Sequence, residues 1–219
     1  MRPWHRFIHP IQRYFRRKRG ARLLQRYPNL ANLKICDLGG SRHFWEESGL
    51  PLGNIVILNV SEGETQAYSE EYDGLKIALY DGRHIPAADD EYELLICNSV
   101  IEHVEPSQHA ALCAEMRRVA RQVYLQTPAF EFPIEPHFVF PFIHWLPPRL
   151  GEVAARISPW CLLAPSRWGS LHEEFSKIKL LKRAEVRALF PSAEITGEKF
   201  FGFQKSHLVF WTKTEVRAR

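Results

Sequence analysis

The amino-acid sequence predicts a doubly wound α/β domain, because short apolar runs recur along the chain and helix-compatible segments separate them. Most of these runs are apolar on both faces, as in a mostly parallel sheet that is covered by helices on each side. Strands that are joined by helical crossovers imply the doubly wound arrangement. The five runs are "LKICDL", "NIVILNV", "GLKIALYDG", "YELLICNS" and "RQVYLQTP".

Two helices and a final strand pair complete the predicted elements. Residues 107–121 predict the crossover helix between the fourth and fifth runs, and Pro106 favours its start. The stretch "KRAEVRALFP" predicts a second helix that ends at Pro191. The closing stretch "AEITGEKFFGFQKSHLVFWTK" predicts two strands with a short polar connection.

Residues 129–180 interrupt this alternation with a dense set of aromatic residues and prolines. The segment includes "FEFPIEPHFVFPFIHWLPPRL" and a second aromatic group around Trp160 and Trp168. A crossover connection does not need so many residues. We therefore predict a cap insertion over the ligand edge of the sheet, within a single domain that spans residues 31–219.

The first 30 residues predict a basic amphipathic arm. Ten Lys or Arg residues and no acid precede Asp37, whereas the remainder of the chain carries 29 − 10 = 19 basic against 25 acidic residues. This arm could contact an anionic membrane surface or a phosphorylated substrate, or it could pack its apolar stripe on its own domain. The acidic remainder argues against nucleic acid as a partner. Arm residues at near-helical spacing are Trp4, Phe7, Ile8, Ile11 and Phe15, with Pro10 between them.

Composition narrows the class of protein further. No apolar run approaches the roughly 20 residues of a membrane-spanning helix, and the first residues lack the apolar core of a secretory signal. The four cysteines are far apart and form no CxxC pair, so we predict a reduced, cytoplasmic protein that could associate with a membrane. No Cys, His or Asp cluster has metal-ligand spacing, so we predict no metal. The sequence does not predict an oligomeric state.

Polar residues and glycines follow the predicted strands at their carboxyl ends, where ligands bind in a doubly wound sheet. Two glycines in succession permit either close approach of a ligand to the backbone or a tight packing turn. A dinucleotide is not favoured, because the loop lacks the GxGxxG pattern and strand two ends in a neutral residue. The residues at these ends are Asp37, Gly39, Gly40, Asn59, Asp81, Gly82, Asn98 and Ser99.

At these positions the sequence resembles the class I S-adenosylmethionine-dependent methyltransferases, in particular their small-molecule branch. "ICDLGGSRHFW" is similar to their first motif, "VILNVSEG" to the second, and "DGRHIPAADDEYELLICNSVIEHV" to the third and fourth combined. The resemblance covers residues 33–128 well and the final strand pair more loosely. It implies a seven-stranded sheet in which only the last inserted strand is antiparallel, and S-adenosyl-L-methionine as cofactor.

The resemblance also implies a role for each matching residue. Two departures weaken the match: Ser41 and His43 replace glycines of the first motif, and Asn59 replaces a carboxylate that would make a stronger, charge-assisted bond. By resemblance, Asp37, Gly39, Gly40 and Ser41 would hold the methionine part of the cofactor, Asn59 the ribose, Asp81 and Gly82 the adenine, and Asn98 and Ser99 would form the wall near the methyl group.

The sequence identifies the atom that accepts the methyl group less closely than it identifies the cofactor. The fourth strand ends in "CNSVIEH" and lacks the Asn/Asp-Pro-Pro-aromatic loop of nitrogen methyltransferases, which favours an oxygen, a carbon or a simple amine. A hydroxyl acceptor needs a base, most often histidine. The candidates are His137, with Glu135 to orient it, and His103, although a structural role for His137 fits the pattern equally well.

Two classes of function remain open at the level of sequence. The aromatic cap favours a small-molecule, glycan or lipid-linked acceptor, since aromatic rings stack on apolar and sugar surfaces. The alternative is a non-catalytic binding or interaction protein that keeps the methyltransferase fold.

Overall fold

A computed structural model of the chain describes residues 3–60, 75–162 and 169–214. Its main sheet has seven strands, as the resemblance predicts. These strands are β1 (Ile35–Leu38), β2 (Ile55–Asn59), β3 (Leu75–Leu79), β4 (Leu94–Asn98), β5 (Gln122–Pro128), β8 (Glu194–Phe200) and β9 (Phe203–Thr212). The predicted positions of all five central runs and of the final strand pair are confirmed.

The strand order is β3-β2-β1-β4-β5-β9-β8, and only β9 runs antiparallel to the other strands. Strand β1 pairs with both β2 and β4, so the chain order reverses between β1 and β4. Such a reversal opens a crevice at the carboxyl ends of the strands, which is where doubly wound folds bind ligands.

Both faces of the sheet are buried, because successive side chains on a strand point to opposite faces. On β1, Ile35 packs in one core cluster with Trp45 and Ile96, while Cys36 packs in the other. The cluster around Cys36 also contains Met116 and Val123. This arrangement confirms the prediction of a sheet that is covered by helices on each side. Among the described residues, the α-helices of the body are α1 (Pro3–Arg26), α2 (Arg42–Ser48), α3 (His109–Val119) and α7 (Arg183–Leu189).

Helix α1 contains most of the described part of the predicted basic arm, and it packs on the domain. Phe15 and Leu23 are buried, and Gly20 permits a close approach to α2, since a Cβ at Gly20 would lie 2.2 Å from the carbonyl oxygen of Ser48. Residues 1–2 and the side chains of Trp4, Phe7 and Ile8 lie outside the described residues. From Phe15 onward, α1 therefore packs on its own domain, which was one of the alternatives for the arm.

The predicted insertion leaves the sheet after β5 and builds a small layer of its own. Its described residues form a hairpin, β6 (Ile134–Glu135) with β7 (Phe140–Pro141), and the α-helices α4 (Pro148–Ala155), α5 (Pro159–Leu162) and α6 (Leu171–Lys177). The chain returns where Ala129 bridges to Leu181. The aromatic group at Trp168 and the end of the second motif, residues 61–63, lie outside the described residues. The buried core of the insertion consists of Phe138, Ile143, Ala155, Cys161 and Leu171.

Within the described ranges, no helix combines the length and the apolar character that crossing a membrane requires.

Candidate active site

A cavity of about 450 Å³ lies at the carboxyl ends of β1, β4 and β5. Its volume falls in the range that small-molecule sites occupy. Helix α1 and the cap insertion supply the walls that face the sheet. The residues that line the cavity are Ile11, Gln12, Phe15, Arg16, Arg19, Asp37, Gly39, Gly40, Ser41, Phe44, Asn98, Ser99, Gln126, Pro128, Phe132, Ile134, Pro136, His137, Val139, Phe200 and Lys205.

Asp37, on β1, is the buried acid of this cavity. Trp45 Nε1 donates a hydrogen bond to Asp37 Oδ2 at 2.7 Å, while Asp37 Oδ1 has no hydrogen-bond partner among the described residues. Burial raises the pKa of Asp37 to about 7, although the Trp45 hydrogen bond opposes that shift. A buried carboxylate oxygen without a partner is unfavourable, so it fits a ligand that brings a hydrogen-bond donor.

Gly39 and Gly40 form the turn after β1. Gly39 has φ +67°, and a Cβ there would lie 2.5 Å from Val100 Cγ2. A Cβ at Gly40 would lie 1.8 Å from Asp37 Oδ2. Packing alone therefore requires both glycines, and both also line the cavity, so the two explanations of the double glycine are compatible.

Ser41 ends this turn and caps the next helix. Its Oγ accepts a hydrogen bond from Phe44 N at 3.3 Å, which makes Ser41 the N-cap of α2. The serine that replaces a motif glycine therefore has a local structural use, and it still lines the cavity.

Asn98 and Ser99 follow β4, as predicted, and both line the cavity. Asn98 Oδ1 accepts a hydrogen bond from Arg19 Nη1 at 3.1 Å. Ser99 has φ +58°, and its Oγ donates to Gln126 Oε1 at 2.8 Å. Asn98 and Ser99 therefore connect the sheet to α1 in the cavity wall, since Asn98 bonds to Arg19 of α1 and Ser99 bonds to Gln126 of β5.

The predicted ribose and adenine residues do not belong to the described wall of this cavity. Asn59 is buried; its Nδ2 donates to Gly40 O at 3.3 Å, and its Oδ1 has no partner among the described residues. Asp81 is exposed, and its Oδ1 accepts hydrogen bonds from the backbone N–H groups of His84 and Arg83, which lower the pKa of Asp81. Gly82, with φ +77°, continues the same turn.

The cap places one titratable side chain in the cavity wall, His137. Its Nδ1 lies 2.7 Å from Glu135 Oε1, and Glu135 Oε2 accepts a hydrogen bond from Phe138 N at 2.7 Å. Burial lowers the pKa of His137, but the hydrogen bond that Glu135 accepts from it and the charges of Glu135 and Glu102 outweigh burial, so its pKa is raised from 6.5. Because a carboxylate only accepts, Nδ1 carries the proton in this pair and Nε2 is the ring nitrogen that can take another.

His103, the third predicted catalytic residue, lies beside His137 but outside the cavity wall. The ring centroids of the two histidines are 5.0 Å apart. Although His103 is exposed to solvent in part, desolvation of its ring and the charge of His137 lower its pKa to about 4. Glu102 is wholly buried, accepts a hydrogen bond from Thr127 Oγ1 at 3.0 Å and has a pKa that burial raises.

The tertiary structure also gathers metal-ligand types that the linear spacing did not reveal. Imidazole and carboxylate are ligands of zinc. Two groups each bring three such donor atoms within 4.8 Å of one another, so the absence of a metal stays a prediction. The groups are Glu102, His103 and His137, and His9, His43 and Glu47.

A buried charge cluster completes the wall, and sequence reasoning missed it. Arg19 donates two hydrogen bonds from Nε to Glu198, at 3.0 and 3.1 Å, and one from Nη2 at 2.9 Å. Lys205 Nζ lies 3.9 Å from Glu198 Oε2 and 4.2 Å from the centroid of the Phe15 ring. Burial and the charge of Arg19 lower the pKa of Lys205 to about 8. Arg19 and Glu198 are 179 residues apart, so no local pattern could have paired them.

Comparisons with known proteins agree with this geometry. Residues 37–123 match the family described as a methyltransferase domain, and this range runs from β1 into β5. No curated protein matches the sequence.

Solved structures show the same fold. A magnesium protoporphyrin IX methyltransferase from Synechocystis PCC 6803 with bound S-adenosylhomocysteine has a TM-score of 0.61 at 16% identity, over 98% of this chain and 89% of that one. A methyltransferase from Archaeoglobus fulgidus, described as dependent on S-adenosylmethionine, has a TM-score of 0.53 at 10% identity, over 90% and 94%. A third, from Mesorhizobium loti, has a TM-score of 0.52 at 12% identity, over 88% and 96%.

The matched domain, the strand order and the cavity at the point where that order reverses all agree with the resemblance of the motifs. The chain therefore contains a methyltransferase domain over residues 37–123 and has the fold of the S-adenosylmethionine-dependent methyltransferases, a class of domain that uses S-adenosyl-L-methionine as cofactor.

Proposed function

We propose that the protein transfers a methyl group to an oxygen of a small-molecule, glycan or lipid-linked acceptor, and that His137 removes the proton of the acceptor hydroxyl. The observation that carries this proposal is the position of His137 in the cavity wall, with Glu135 on its Nδ1 at 2.7 Å. A carbon or a simple amine remains an alternative acceptor atom.

The residues of the sheet wall fit the cofactor. The unpartnered Asp37 Oδ1 suits the amino group of its methionine part, and the backbone at Gly39, Gly40 and Ser41 lies along the same wall. When bound, S-adenosyl-L-methionine supplies a methyl group on a positively charged sulfur. Asn98 and Ser99 form the wall that we assign to the methyl end. We keep Asn59 for the ribose, and Asp81 with Gly82 for the adenine, as part of the proposal.

His137 would act through its Nε2. The hydroxyl proton of the acceptor moves to Nε2, while the Nδ1 proton stays hydrogen-bonded to Glu135 and the carboxylate balances the new positive charge. Glu102, which is buried near the same imidazole, adds to that stabilisation. His103 packs against the His137 ring, and we assign it to positioning that ring.

Aromatic side chains shape the acceptor side of the cavity. Phe15, Phe132 and Phe200 line it, and the ring of Phe200 contacts the other two, with centroids 5.6 and 6.4 Å apart. Rings in this arrangement suit an apolar or sugar surface. Methyl transfer is an in-line displacement, so a wall that aligns the acceptor and excludes water supplies much of the catalysis.

Two measurements test the proposal. S-adenosylhomocysteine at a hundredfold excess over its Kd should stabilise the protein by about 2.7 kcal/mol. Labelled methyl groups from S-adenosyl-L-methionine should then enter one fraction of a cell extract that is separated into lipids, glycans, proteins and small molecules. Cofactor binding without transfer into any fraction would favour the non-catalytic alternative. Transfer only into protein would contradict the acceptor class.

A further inference from the structure

Helix α4 of the cap carries an apolar stripe that faces away from the protein. Leu146, just before the helix, is followed at intervals of four, three and four residues by Leu150, Val153 and Ile157. Within the helix, the spacing of Leu150 and Val153 places their side chains on one face. Leu146 precedes the helix in extended backbone, and Ile157 follows its last turn. The exposed fractions of the four side chains lie between 41% and 62%, so the bulky apolar face of α4 contacts solvent.

The opposite face of α4 is the one that packs against the rest of the cap. Gly151 and Ala155 are buried there. A Cβ at Gly151 would lie 2.6 Å from Ile143 O and 2.7 Å from Phe175 Cζ. The small residues therefore let α4 pack closely on Ile143 and Phe175 of the cap. Because this face is buried, the leucine, valine and isoleucine side chains point to solvent.

Two aromatic residues extend the stripe toward the cavity. Phe142 and Trp145 are both exposed, and their ring centroids lie 5.2 Å apart. Trp145 Nε1 donates to Phe130 O at 2.8 Å, and Phe142 N donates to Pro133 O at 2.7 Å. These bonds attach the aromatic end of the stripe to the segment that also supplies the cavity wall.

The charges beside the stripe are basic. Arg149 and Arg156 are exposed and seven residues apart, so they lie on one edge of the same helical face. The acid of this helix, Glu152, is engaged with His172 at 2.8 Å. An apolar face that is bordered by arginines matches an anionic lipid surface, because the side chains enter the acyl boundary while the guanidinium groups meet the headgroups.

We propose that this cap surface docks the protein on an anionic membrane. The cap surface consists of Phe142, Trp145, Leu146, Arg149, Leu150, Val153, Arg156 and Ile157. Docking goes beyond the proposed function, because it concerns a surface outside the cavity and can be measured without turnover.

Sedimentation of the full chain with vesicles tests the docking. Wild-type protein should bind vesicles of phosphatidylcholine with phosphatidylglycerol and bind pure phosphatidylcholine more weakly. The triple variant Leu150→Ser/Val153→Ser/Ile157→Ser should lose about tenfold or more in partition, since each side chain buries several methylene-sized groups. Arg149→Gln/Arg156→Gln should lose several-fold on the anionic vesicles and respond less to salt.

Matched controls separate the cap surface from apolarity or basicity in general. Leu24→Ser/Leu52→Ser removes exposed apolar side chains on α1 and in the loop before β2, outside the cap and the cavity wall, and should bind as wild type. Arg13→Gln/Arg17→Gln on α1 removes exposed charge elsewhere and should reduce binding less than the cap variants do. Thermal unfolding and S-adenosylhomocysteine binding should be unchanged in all variants.

Three results would overturn the proposal. The first is wild-type protein that does not sediment with anionic vesicles. The second is binding that the α1 variant abolishes and the triple cap variant leaves intact. The third is a triple cap variant that dissociates a dimer in gel filtration with no change in vesicle binding, because the cap surface would then contact a second copy of the chain.

Discussion

The two walls of the cavity are built in different ways. On the sheet side, Asp37 and Asn98 come from strands β1 and β4, and the parallel register places Asp37 opposite Ile96, two residues before Asn98. On the cap side, Glu135 and His137 are two residues apart and bond to each other within one hairpin. The sheet wall therefore depends on long-range pairing, and the cap wall depends on a local pair that the fold carries to the cavity.

Under the proposed function, this difference separates cofactor binding from proton transfer. The sheet wall presents an unpartnered carboxylate oxygen and backbone groups, which suit the cofactor. The cap wall presents one imidazole with a carboxylate behind it, which suits proton transfer. Changes in the cap should therefore alter turnover, whereas changes in the sheet wall should alter cofactor affinity or stability.

The largest expected effect follows the removal of the cap imidazole. His137→Ala should lower turnover by about 10² to 10⁴ fold and leave cofactor affinity nearly unchanged, because a general base is lost. Steady-state kinetics and calorimetric titration measure the two quantities. His172→Ala is the matched control, since His172 forms the same kind of pair with Glu152 on the cap surface. Full turnover of His137→Ala would end the base assignment.

The same base predicts a pH dependence. Because Glu135 holds the pKa of His137 above 6.5, turnover should fall as the pH drops through that pKa, where the imidazole becomes protonated. Glu135→Gln should move the fall in turnover to lower pH.

Removal of metal ions tests the other use of the same imidazole. Dialysis against EDTA should leave turnover unchanged if the imidazole is the base, whereas a loss of turnover would favour a metal at Glu102, His103 and His137.

On the sheet side, the largest effect should come from the buried ion pair that joins α1 to the hairpin. Arg19→Met should destabilise the protein by about 3 kcal/mol, because Glu198 is left buried without its main partner. Arg26→Met is the control, since Arg26 forms an exposed pair with Glu194 on the same helix and strand; its loss should be within about 1 kcal/mol. Denaturant unfolding compares the two. Equal losses would contradict the role of burial.

A smaller effect concerns stability against pH. Burial raises the pKa of Asp37 from 3.8 to about 7, so the folded state holds this proton more tightly than the unfolded chain. The stabilisation is fully present below pH 3.8 and is lost as the pH rises to about 7, with a slope of about 1.4 kcal/mol per pH unit. Asp37→Asn should remove this slope in urea unfolding at pH 5 and pH 7, whereas the exposed Asp89→Asn should keep it. If the free energy of unfolding of Asp37→Asn kept the same dependence on pH, a group other than Asp37 would be responsible for it.

The smallest effect belongs to the predicted adenine residue. Asp81→Ala should weaken S-adenosylhomocysteine binding by about two- to tenfold, the loss expected for one hydrogen bond. The fold should persist, because Asp81 is exposed and serves only its own turn. Calorimetric titration measures the affinity, with the exposed Asp89→Ala as control. An unchanged affinity would remove Asp81 from the site.

The sequence by itself determined the sheet, the crossover helix α3 and the hairpin of β8 and β9. It did so because a strand that is buried on both faces must be apolar throughout, and a turn must contain residues that permit it. The same local rules located Asp37, Gly39, Asn98 and Ser99 at strand ends. They also suggested Glu135 as the partner of His137, since two residues on one extended segment can meet without help from the fold.

Only the tertiary structure decided which of these groups share a cavity. It left Asp81 in its own turn, brought Arg19 to Glu198, and placed Glu102 beside an imidazole that follows it by 35 residues. Such contacts depend on which helix face packs on which edge of the sheet. The local sequence of a segment does not identify that partner, because many other segments of the chain could pack on the same face equally well. A local pattern reports the conformation of a segment, whereas burial and pairing at long range are properties of the assembled chain.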